Sequence, residues 1–248
     1  MLIRCFAGAL SFLISVAGSG AQALPLDFVY LRNVDPTIRQ DIRYAGSHNF
    51  IGRPVAGYKS AECVLTRQAA LALRTVQASL AQAKQSLVVW DCYRPTTAVA
   101  DFLQWTKDLS DNRMKAEFYP RTDKSEFFSL GYLASKSAHS RGSTVDLGIV
   151  DLEAAAPTFG AGDQLVACTR PKGERFEDGS LDFGTGYDCL DVLAGTQGES
   201  LGDTVLKNRQ ALRERMMAAG FKPYAKEWWH FELTAEPFPD RRFDFPVQ

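Results

Sequence analysis

A helix-period segment that runs directly into a short apolar strand is the feature that most limits the folds open to this chain. From Thr66 to Lys84, the residues Ala69, Leu71, Leu73, Val76, Leu80 and Ala83 recur mostly at helical spacing with few breakers, which predicts an amphipathic helix. Leu87-Val88-Val89-Trp90 then forms an apolar run of strand length within Ser86 to Cys92, and Arg94-Pro95 ends it before a second helix around Thr97 to Lys107. Gly142 to Asp151 alternates Val145, Leu147 and Ile149 with Asp146 and Gly148, so Asp146 is expected to face away from those apolar neighbours. A third helix is predicted from Asp203 to Ala219, with Gly220 as its stop, and a final strand from Glu227 to Thr234. This order predicts an α+β fold, with helices packed against a small, mostly antiparallel sheet. Asp27 to Gly52 reads as an ordered loop. The Gly- and charge-rich stretch from about 157 to 185 reads as a surface excursion.

The first residues are expected to lie outside that fold. Arg4 precedes an apolar run from Cys5 to about Gly18, followed by small residues ending in Ala21-Gln22-Ala23. The run is shorter than the roughly 20 residues that cross a bilayer, and with the A-x-A site after it reads as a secretory signal cleaved near Ala23. Residues 24–248 are then one domain, exported to the periplasm or beyond without stable membrane insertion. Four cysteines remain after Cys5 departs, and an oxidising compartment favours pairing them. Cys168 and Cys189 flank one loop and suggest one bridge, with Cys63–Cys92 following by elimination, although four cysteines admit three connectivities. With 28 Lys+Arg against 29 Asp+Glu, the chain has no basic field to hold a nucleic acid.

Its 248 residues include only three histidines; Asp146 follows His139 by seven residues, and Glu227 and Glu232 flank His230. A catalytic zinc site takes three protein ligands and leaves a position for water, and His139, Asp146 and His230 complete such a set. Read singly, each histidine would be a hydrogen-bonded structural residue. Glu227 stands three residues before His230, where a carboxylate could take a proton from a water activated by the metal. On a regular strand, residues three apart face opposite ways, so this role requires a bulge or twist near Trp228. Glu232, two residues beyond His230, is the rival base or a partner of a ligand histidine. Arg94 is either a fixed cation for a developing oxyanion or a surface arginine paired with Asp91.

The segments Ser137-Ala138-His139-Ser140-Arg141-Gly142-Ser143-Thr144-Val145-Asp146 and Glu227-Trp228-Trp229-His230 resemble those of the D-alanyl-D-alanine dipeptidases of the VanX type. Four further segments resemble that family in the same order: Tyr44-Ala45 with Asn49-Phe50-Ile51-Gly52; Trp90-Asp91-Cys92-Tyr93-Arg94-Pro95; Phe183-Gly184-Thr185-Gly186-Tyr187-Asp188; and Asn208-Arg209 with Leu212 and Met216. The resemblance spans roughly residues 26 to 234. It implies the zinc fold shared with D-Ala-D-Ala carboxypeptidases and the hedgehog amino-terminal domain, one zinc ion per chain, and hydrolysis of free D-Ala-D-Ala to two D-alanines. By the same resemblance, His139, Asp146 and His230 are the metal ligands, Glu227 the base and Arg94 the carbonyl-polarising group. Ser137, Asp188 and Tyr44 line the substrate pocket, with Asp188 meeting the substrate's amino terminus; read without the resemblance, Asp188 is also a plausible turn residue.

Two features depart from the shorter, cytoplasmic family members. The stretch Val150 to Asp182 is longer, and a signal peptide is present, which points to peptidoglycan turnover or dipeptide salvage. The competing expectations are a D,D-carboxypeptidase or endopeptidase of the same fold acting on larger muropeptides, and a metal-containing binding module without turnover. Glu227 argues against the second, since a binding module has no use for a base there.

Overall fold

The computed structural model describes residues 23–160, 162–196 and 201–248. The signal segment therefore lies outside the described residues, except for its last residue, Ala23. In chain order the elements are β1 (Phe28–Tyr30), α1 (Leu31–Val34), β2 (Arg39–Gln40), β3 (Val64–Thr66), α2 (Arg67–Ala81), β4 (Gln85–Asp91), α3 (Thr96–Lys107), α4 (Lys115–Phe118), α5 (Phe127–Leu130), β5 (Thr144–Asp151), α6 (Asp203–Ala218), β6 (Phe221–Pro223) and β7 (His230–Leu233). The long helices and the two long strands sit within three residues of their predicted bounds. Helix α2 begins where the Thr66 hydroxyl accepts the Ala69 N–H at 3.4 Å, satisfying one of the orphan donors of the first turn.

Five strands form the main sheet in the order β2-β4-β5-β7-β6. Its pairs are antiparallel except β2 with β4, which is parallel. β1 and β3 form a separate antiparallel ribbon. The fold is thus α+β, with one parallel edge. Strand β5 is buried on both faces, with Val145, Leu147 and Ile149 on one side and Asp146 on the other, all of them inaccessible. Residues Leu73, Val76 and Leu80 of α2 and Leu212 and Met216 of α6 join the same core.

The structure corrects four expectations. Within the stretch read as a loop lie β1 and β2, which are only three and two residues long and too short to show a period. β6, also three residues, was not foreseen. The last strand starts at His230 rather than Glu227 and ends at Leu233. In segment 157–185, the Leu181 N–H donates to Ile149 O at 2.8 Å, Phe183 is fully buried, and Phe159 stacks on the His48 ring at 3.9 Å. Cys63 is bonded to Cys92 and Cys168 to Cys189.

Candidate active site

Neighbouring strand ends bring the histidines and acids together. In the register of β5 and β7, Asp146 lies directly opposite His230, and in that of β4 and β5 Asp91 lies opposite Asp146, after a register shift between Val89 and Asp91. His139 enters from a single 3-10 turn, His139–Arg141, just ahead of β5. That turn closes on Gly142, whose φ of +84° is in the left-handed region, and a Cβ there would stand 2.3 Å from Phe28 Cε1. Only glycine fits both the dihedral and the space.

His139 Nδ1 is 2.8 Å from the Cys92 carbonyl. The carbonyl can only accept, so the ring proton sits on Nδ1 and the Nε2 lone pair turns into the site. Three atoms converge there: His139 Nε2 is 3.3 Å from Asp146 Oδ1, Asp146 Oδ1 is 3.1 Å from His230 Nδ1, and the two nitrogens are 3.4 Å apart. Asp146 Oδ1 is buried and takes no hydrogen bond among the described residues. An orphaned anionic oxygen facing two imidazole nitrogens is what a ligand set for a cation looks like before the cation is counted, and these residues could hold a metal ion. Burial alone would raise the Asp146 pKa, but the two imidazoles, when protonated, outweigh it and hold the carboxyl well below the usual carboxylate range.

Glu227 shares the site with His230 because Glu227 to His230 is a turn rather than a strand. The His230 N–H points back to Glu227 O at 3.4 Å, and the Tyr224 N–H donates to His230 O at 3.0 Å. The turn carries both side chains to one side, and Glu227 Oε2 lies 3.4 Å from His230 Nδ1. Burial first, then the charge of Asp146, raises the Glu227 pKa to about 7, with His230 and Arg94 opposing. Glu232 is placed differently. It pairs with Arg141 at 3.0 Å and Lys222 at 3.2 Å and stands 3.8 Å from the other His230 nitrogen, Nε2. Its pKa falls to about 2, chiefly through His230, so it is an anchored anion outside the ligand triangle.

Arg94 is both paired and buried: its Nε donates to Asp91 Oδ2 at 2.8 Å and its guanidinium lies over the Tyr44 ring at 5.1 Å. Burial opposes its charge, but Asp91 and its other anionic neighbours more than restore it, and the group stays cationic. The Tyr44 hydroxyl donates to Asp188 Oδ2 at 2.8 Å. Asp188 is one of the few non-glycine residues with positive φ, +57°. Burial and the charge of Asp146 push its carboxyl well above the ordinary range. Ser137 accepts the His139 N–H at 3.2 Å. All eight residues singled out from the sequence, Tyr44, Arg94, Ser137, His139, Asp146, Asp188, Glu227 and His230, line one cavity of about 260 Å³.

Sequence reasoning named Asp91 only as a possible surface partner of Arg94, whereas it is fully buried. It accepts from Tyr58 at 2.5 Å and from Arg94. Tyr187 was also passed over, although its hydroxyl donates to Asp146 Oδ2 at 3.1 Å. The signal for Tyr187 was its position beside Asp188 in a quoted segment; for Asp91, a charge at the end of an otherwise apolar strand.

Convergent imidazole and carboxylate donors beside a carboxyl that titrates near neutrality are the parts of a metallopeptidase. The peptidase M15 family model, described as D-Ala-D-Ala dipeptidase, matches residues 25–162 and 154–248. The chain belongs to this family. A D-alanyl-D-alanine dipeptidase of Enterococcus faecalis is 36% identical over 220 residues, covering 89% of this chain and 98% of the relative. One of Streptomyces coelicolor is 37% identical over 221 residues, with the same coverage. One of Escherichia coli is 27% identical over 209 residues, covering 84% of each.

Proposed function

We propose that residues 24–248 form one exported, zinc-dependent dipeptidase domain that hydrolyses free D-Ala-D-Ala to two D-alanines, in peptidoglycan turnover or dipeptide salvage. The observation that carries this reading is the meeting of the donor triangle, Glu227 and Asp188 in one cavity of about 260 Å³. Ligands bonded at about 2.0–2.1 Å around a tetrahedral ion stand about 3.3 Å from one another, and the three donor separations of 3.3, 3.1 and 3.4 Å match that spacing. The cavity is smaller than the roughly 300–1,000 Å³ of drug-sized pockets, which suits a dipeptide better than a muropeptide. The substrate of the relatives is thus adopted on size as well as on their names.

A zinc ion held by His139, Asp146 and His230 would supply Lewis acidity, lowering the pKa of a water toward roughly 7 and polarising the scissile carbonyl. Asp188, steadied by Tyr44, receives the substrate ammonium. Burial and the charge of Asp146 push its carboxyl toward the neutral form, so an ammonium both pairs with it and restores its charge. Arg94, fixed by Asp91, presents a permanent cation to the carbonyl oxygen as it gains negative charge. Glu227 takes a proton from the attacking water. The same carboxyl then gives that proton to the leaving amine. Ser137 holds the backbone of His139.

The test is an assay of the purified protein, with metal analysis, on D-Ala-D-Ala, L-Ala-L-Ala and a peptide ending in D-Ala-D-Ala. One zinc per chain and cleavage confined to the free D,D-dipeptide are expected. Comparable kcat/KM on the longer peptide would move the activity to a carboxypeptidase. Export is checked by mass spectrometry of the secreted protein, expected to begin at Leu24.

A further inference from the structure

Asp146 presents only one of its two oxygens to the ligand triangle, and the rotation of a carboxylate about its last bond is broad and roughly two-fold. Something must therefore choose the oxygen and its tilt. Oδ2 faces two groups: the Tyr187 hydroxyl at 3.1 Å and Arg94 Nη2 at 3.7 Å. The arginine is beyond hydrogen-bond range and is already turned toward Asp91 at 2.8 Å. The tyrosine is therefore the group that fixes Oδ2.

Its ring has little freedom to do otherwise. It stacks on Trp90 with centroids 4.9 Å apart and an interplanar angle of 16°, and meets Trp229 edge-on at 5.5 Å. Trp90 is itself fixed against β5, where a Cβ on Gly148 would stand 2.6 Å from its Cη2. The backbone on either side is also held: the Gly186 N–H donates to Cys168 O at 3.0 Å, and Cys189 is bonded to Cys168. A hydroxyl on a locked ring, aimed at the oxygen the ligand triangle leaves over, has one evident use.

We infer that Tyr187 is a positioning residue for metal binding, whose hydroxyl holds Asp146 so that Oδ1 completes the site with His139 and His230. This rests on the metal reading of the site given above. Partners that orient a ligand in this way typically contribute 10- to 100-fold in metal affinity.

The experiment measures zinc affinity by competition with a chromophoric chelator, using wild type, Tyr187→Phe and a protein with p-aminophenylalanine at 187. The phenylalanine keeps the ring stack and loses only the donor; the amino analogue keeps a donor at the para position. Tyr187→Phe is expected to bind zinc roughly 10- to 100-fold more weakly, with the melting temperature of the metal-free protein unchanged and the amino analogue recovering most of the affinity. Tyr187→Phe affinity within twofold of wild type would overturn the inference. So would a loss that the amino analogue fails to restore, or a loss matched by lower stability of the metal-free protein, since either would be a packing effect. If wild type itself takes up no stoichiometric zinc, the metal reading fails first and Tyr187 loses its role with it.

Discussion

Replacing Gly142 by alanine probes the junction on which His139 and β5 both depend. At φ +84° an alanine enters the left-handed region at about 1–2 kcal/mol. Its Cβ would also stand 2.3 Å from Phe28 Cε1 and 2.6 Å from Cζ, against an ordinary contact of about 3.5–4.0 Å, so the ring must move by more than 1 Å. It has nowhere open to go. Tyr93, Phe238, Phe243 and Phe245 surround Phe28 with centroids between 4.9 and 6.0 Å away, and overpacking of this kind costs about 1–3 kcal/mol. Together the two effects should destabilise the fold by about 2–5 kcal/mol. Urea unfolding followed by tryptophan fluorescence, with both disulfides intact, should show the midpoint falling by about 1 M or more. The Gly142 N–H donates to His139 O at 2.9 Å, and Gly142 O accepts from Thr66 at 2.7 Å, so metal affinity should fall as well. A midpoint within about 0.3 M of wild type would refute both the strain and the crowding argument.

Glu227→Gln should lower kcat by about 10²- to 10⁴-fold while retaining one metal ion per chain; near-normal turnover would show that another group moves the proton. Asp188→Asn should lower kcat/KM for D-Ala-D-Ala by at least about 30-fold, chiefly through KM, and the N-acetylated dipeptide should be a poor substrate of the wild type. A KM within threefold of wild type would remove Asp188 from ammonium binding. Asp101 reports on acid stability away from the site. Arg53 donates to both of its oxygens at 2.7 Å and the Ala56 N–H adds a third bond at 2.9 Å; these bonds, that from Arg53 foremost, hold its pKa below the ordinary value. A depressed folded pKa stabilises above the unfolded value of about 3.9 and ceases to as pH falls through the folded one. The stability gap between wild type and Asp101→Asn should therefore be full at pH 6 and shrink below about pH 4. A gap constant from pH 6 to pH 2.5 would contradict the assignment.

What the sequence disclosed, and what it withheld, follows from how each residue acts. Helices α2, α3 and α6 and strand β5 were legible because each is long enough to show a period, and strand β4 because burial on both faces makes it a continuous apolar run. β1, β2 and β6 were not, since two or three residues carry no period and their pairing is decided by distant partners: Val64 to Thr66 for β1, Val88 and Val89 for β2, Phe231 to Leu233 for β6. The ligand candidates His139 and His230 stood out because histidine is rare in this chain and its chemistry is narrow. The spacing of Glu227 and His230 argued against a shared face only under the assumption of a strand. The chain instead turns between them, marked by the hydrogen bond from His230 N–H to Glu227 O, ahead of the β6–β7 pairing that no local pattern announced. Asp91 and Tyr187 mark the limit from the other direction. Aspartate and tyrosine are common, and either could serve a turn or a core. Their function exists only because the β4–β5 register sets Asp91 against Asp146 and because Trp90 and Trp229 hold the Tyr187 ring against the remaining oxygen of the same carboxylate. Residues that touch a ligand are betrayed by their type; those that aim them can be read only from the topology.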